Sequence, residues 1–101
     1  MLKKYELPFK KSALFICSKC SSRPEQTGVA DNLKIYIKNE LKNSNQISEC
    51  RVMTSGCLGL CVPEEQTVAF FPNDGQSEIF TTTLIESEAK REILEFIKSK
   101  I

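Results

Sequence analysis

Ser55-Gly56-Cys57-Leu58-Gly59-Leu60-Cys61 sets two cysteines and two glycines between two stretches of strand character. On its N-terminal side, Ile47 to Thr54 carries Cys50, Val52 and Thr54 in alternation, the pattern of a half-buried strand. On its C-terminal side, Thr67-Val68-Ala69-Phe70-Phe71 is a second strand that Pro72 stops, and Asn73-Asp74-Gly75 signals a hairpin into a returning strand at Glu78 to Thr81. Phe70 and Phe71, as strand neighbours, face opposite sides of the sheet.

Farther out, Ala13-Leu14-Phe15-Ile16 is a short apolar run that reads as a buried strand ending at Cys17. Ser18 to Gly28 is polar, contains Arg23-Pro24, and reads as a loop. From Val29 to Leu41, apolar residues recur at Val29/Ala30, Leu33, Tyr36/Ile37 and Leu41, which is one face of a helix that Asn43-Ser44-Asn45 ends. At the other end, Thr83 and Glu86 have capping-box spacing, and Ala89, Ile93, Leu94, Ile97 and Ile101 line one side of a last helix. The order is β-α-β-β-β-α. It predicts an α/β (α+β) sandwich, a mixed four-stranded sheet with two main helices packed on it. Residues 1–11, with four lysines and a proline, read as an N-terminal leader, and residues 12–101 as one domain.

Composition narrows the function. Fourteen basic and thirteen acidic side chains nearly cancel, so charge gives no case for nucleic-acid binding. Nowhere does an apolar run approach the roughly 20 residues of a membrane span, and the charged start lacks the apolar run of a secretory signal. The expected location is the cytoplasm. There thiols stay reduced, and five cysteines in 101 residues point to metal or redox chemistry before disulfides. The chain has no histidine. Ser-His and Cys-His nucleophiles, histidine zinc sites and Rieske-type clusters are therefore all excluded.

Four of the cysteines fall in two loops, Cys17-Ser18-Lys19-Cys20 after the first strand and Cys57-Leu58-Gly59-Leu60-Cys61 after the second. If those strands are neighbours, both loops leave the same end of the sheet, and four thiolates there suit a 2Fe–2S cluster, two for each iron. Gly56 and Gly59 are placed to take positive φ and to let backbone N–H groups approach sulfur. Cys50, alternating with Val52, reads as structural, and is the substitute ligand should Cys20 not serve.

The Ser55–Cys61 segment, followed by Val68-Ala69-Phe70-Phe71-Pro72 and Asp74-Gly75, resembles the C-terminal signature of the thioredoxin-like 2Fe–2S ferredoxins. Leu14-Phe15-Ile16-Cys17, with Arg23-Pro24 soon after, resembles the same family's first strand and cysteine loop. The family is related to the small 2Fe–2S subunit of respiratory NADH dehydrogenase. The resemblance covers roughly residues 12–100. It implies a thioredoxin-like fold and an electron carrier, not an enzyme, often a homodimer, with a 2Fe–2S cluster on Cys17, Cys20, Cys57 and Cys61 and a redox partner the sequence does not identify.

Three other functions are compatible with the same residues. Cys17 and Cys20 have the spacing of a thiol-disulfide oxidoreductase, yet they precede a long polar loop where a redox dithiol would open a helix. Four thiolates can hold structural zinc, although the 36 residues between Cys20 and Cys57 exceed the about 15–20 of a zinc ribbon. A cluster-less adaptor would use the same fold only as a surface.

Overall fold

A computed structural model describes residues 2–6, 11–18, 28–56, 58–60, 64–73 and 75–100. Its elements run β1 (Ser12–Cys17), α1 (Val29–Asn43), β2 (Cys50–Ser55), β3 (Glu65–Pro72), β4 (Glu78–Thr83) and α2 (Glu86–Lys100). The sheet order is β2-β1-β3-β4. β1 and β2 are parallel, while β3 runs antiparallel to both β1 and β4. The molecule is thus a small α+β domain with a mixed four-stranded sheet and two helices, in the order that the hydrophobic periodicities predict.

Strand alternation assigns the two faces of the sheet. Leu14, Ile16, Val52, Val68 and Phe70 share one face, and they pack in a single core with Leu33, Ile37 and Leu41 of α1 and Ala89, Ile93 and Ile97 of α2. Both helices therefore cover the same side, and Asn32 of α1 donates a hydrogen bond to Glu86 of α2 at 3.2 Å. Phe96 closes one end of this core, edge-on to Phe70 and tilted against Phe80. The opposite face is more open. Phe71 and Ile79 are 43% and 47% exposed there, and Phe15 meets Phe71 edge to face. Phe70 and Phe71 point to opposite sides, as neighbours in a strand must.

Three boundaries differ from expectation for identifiable reasons. Helix α1 runs two residues past Leu41 and closes in a left-handed turn, with Asn45 at φ 59. There the Asn45 and Gln46 N–H groups bond back to the carbonyls of Lys42 and Leu41, satisfying carbonyls the helix end leaves open. Residues 47–49 form turns, so β2 begins only at Cys50. Thr83 and Glu86 do not make a capping box. Thr83 ends β4 and its hydroxyl accepts from the Ile85 N–H at 3.0 Å, while Glu86 turns to Asn32 and Lys90. Among the described residues, no helix is long and apolar enough to cross a membrane.

Candidate functional site

Because β1 and β2 are parallel neighbours, their C-terminal ends lie together, and Cys17 is the register partner of Ser55. The chain beyond β1 is tied across this end. Ser18 gives both its N–H (2.9 Å) and its hydroxyl (2.7 Å) to the Ser55 carbonyl. β3 closes the other flank of β1. Gln66 Nε2 donates to the Cys17 carbonyl at 2.7 Å and to the Thr67 carbonyl at 3.0 Å. The Thr67 hydroxyl donates to the carbonyl of Leu60, the residue before Cys61, at 2.9 Å. Segments flanking both cysteine loops are thereby held at one end of the sheet, next to one another.

Of the five cysteines, Cys17 and Cys50 are among the described residues, and Cys20, Cys57 and Cys61 lie outside them. Cys17 is fully buried, with its side chain on the sheet face away from the helices. Cys50 is also fully buried, but on the helix face and at the opposite end, paired with Ser12. The five steps of β2 from Cys50 to Ser55 span roughly 16 Å at the usual rise of a strand. Cys17 and Cys50 are not brought together, and Cys50 belongs to the core. Burial pushes its thiol pKa up, against a smaller opposing effect of a hydrogen bond with Ser12.

The two glycines of the second loop differ. Gly59 takes φ 90, a backbone region that side chains with a Cβ rarely adopt. Gly56 does not have positive φ, and an added Cβ there would meet nothing within 4 Å among the described residues. The expected conformational role thus belongs to Gly59.

β3 begins at Glu65, two residues before the expected strand, so it takes in the polar Gln66, while Thr67 lies in the strand as expected and only its hydroxyl bond to Leu60 is new. Extending the period-two pattern of Val68 and Phe70 backward by one step would have put Gln66 on the core face of a longer β3. Gln66 is fully buried, and its Oε1 has no hydrogen-bond partner among the described residues.

Toward a four-thiolate group, the described residues supply the adjoining strand ends and one thiol, that of Cys17. The strands that precede the two cysteine loops are adjacent, Cys17 stands at their junction, and a chain without histidine offers thiolate as its soft ligand. Among the described residues no three of Cys, Asp and Glu gather as a metal-binding group; these residues include one of the four expected ligands, Cys17. Comparison of the chain with known protein families, curated proteins and solved structures gives no match.

Proposed function

We propose that this chain is an electron carrier of the cytoplasm, a thioredoxin-like domain holding a 2Fe–2S cluster through Cys17, Cys20, Cys57 and Cys61. The observation that carries this reading is the pairing of Cys17 with Ser55, which sends the two cysteine loops out from neighbouring strand ends. The parallel β1-α1-β2 unit, joined to an antiparallel β3–β4 pair and a final helix, supports the thioredoxin-like part.

When bound, the cluster supplies one-electron exchange. The chain's own contribution is to hold thiolates at one sheet end and to keep the backbone around them fixed. Ser18, Gln66 and Thr67 make the fixing hydrogen bonds. No substrate chemistry on the protein is required.

Cysteine-to-serine variants, reconstituted anaerobically with iron and sulfide, test the ligand set. Cys17→Ser, Cys20→Ser, Cys57→Ser and Cys61→Ser are each expected to lose or destabilise the visible absorbance of the cluster, whereas Cys50→Ser keeps it. Full retention in Cys20→Ser together with loss in Cys50→Ser would overturn the assignment of the fourth ligand.

A further inference from the structure

We infer that Gln66 is a positioning residue for Cys17, and that with Thr67 it forms a clamp by which the start of β3 grips both cysteine segments. The two residues are sequence neighbours whose side chains leave opposite faces of the sheet. Gln66 reaches the first segment, at the Cys17 carbonyl, and Thr67 reaches the second, at the Leu60 carbonyl. Separations of 49 and 7 residues in sequence are spanned from one point on one strand.

The Gln66 amide shows an uneven use of its hydrogen-bonding groups. Its two acceptors are carbonyls, so the NH2 group must face them and the Oε1 must face away. That oxygen is buried and has no partner among the described residues. A half-satisfied buried amide is a poor way to stabilise a core, and an apolar side chain of similar length would serve packing as well. What the amide does that an apolar side chain cannot is fix the backbone of Cys17. Gln66 therefore acts on the position of the last residue of β1 more than on the stability of the fold. The consequence for cluster retention rests on the cluster reading proposed above. The hold on Cys17 does not.

The test uses Gln66→Met in the reduced, metal-free full chain, with a thiol reagent and peptide mapping to follow each cysteine separately. Cys50, buried at the far end of the sheet, is the internal control. Loss of the clamp is expected to raise the labelling rate of Cys17 about five- to tenfold, the change in local opening that one typical hydrogen bond is worth, with Cys50 unchanged. Equal rises at both cysteines, or a rise at neither, would overturn the inference. Should Gln66→Met fail to fold, the wild type decides. The Gln66 side-chain amide protons are expected to exchange with solvent as slowly as core backbone amides, and exchange at the rate of an exposed glutamine would contradict the clamp. In chains that do take up the cluster, Gln66→Met then shortens its lifetime. A wild type that takes up none would sink the cluster reading while leaving the labelling result to judge the clamp.

Discussion

Cys17 and Ser55 stand side by side as register partners at the C-terminal ends of two parallel strands, and the Ser18 hydroxyl crosses to the Ser55 carbonyl. This one pairing divides the molecule into two ends. At the Cys17 end, backbone carbonyls are tied by Ser18, Gln66 and Thr67. At the other, Cys50 pairs with Ser12 inside the core. Two cysteines of equal burial thus have different surroundings, and different behaviour is expected of them.

Gly59 and Gly56 are predicted to respond oppositely to alanine. Gly59→Ala forces a Cβ into a left-handed conformation and is expected to cost about 1–2 kcal/mol. Gly56→Ala adds a Cβ without positive φ and with no described residue within 4 Å, so stability should move by no more than about 1 kcal/mol, in the stabilising direction. Urea unfolding of the two variants checks this, and equal effects would contradict the assignment.

Cys50 gives the fold an alkaline limit. Its thiol pKa is raised by burial, so above the ordinary thiol value of about 8.5 the unfolded chain releases a proton that the folded chain keeps. Stability from this group is complete below that pH and is lost as pH rises through the folded pKa. Cys50→Ala should cost about 1 kcal/mol at pH 7 from lost packing, and the deficit should shrink at alkaline pH. Denaturant midpoints of both proteins under reducing conditions measure this; a deficit constant with pH would refute it.

Between the helices, Glu86 accepts from Asn32 and pairs with Lys90 at 3.1 Å. These hold its pKa below the ordinary carboxyl value, the Asn32 hydrogen bond contributing most. The stability it adds is present above that ordinary value and is lost as pH falls through the folded pKa. Both partners are partly solvated, so the effect on overall stability is small. Asn32→Ala is expected to move the Glu86 titration upward, followed by carboxyl NMR shifts. An unmoved titration would show that the bond does not form in solution.

The architecture was legible because its signals are local and periodic. Leu33, Ile37 and Leu41 repeat at helical spacing, Cys50 and Val52 alternate, and both patterns end up in the core. What sequence could not supply were contacts set by neighbouring strands. Gln66 looks like loop polarity until β3 is paired with β1, when its amide falls beside the Cys17 carbonyl. Likewise Thr83 and Glu86 have capping-box spacing, but β4 continues to Thr83 because its pairing with Glu65 outweighs the local helix signal. Of the candidate site, the meeting of the two strand ends was readable from the β-α-β order. The distinction between Gly56 and Gly59, and the distance of Cys50, required three dimensions.

The most direct test is the iron and acid-labile sulfide content of the anaerobically purified full chain, together with its visible absorbance. The cluster reading predicts a brown protein with about two irons and two sulfides per chain. A colourless protein that stays metal-free after reconstitution with iron and sulfide would contradict it.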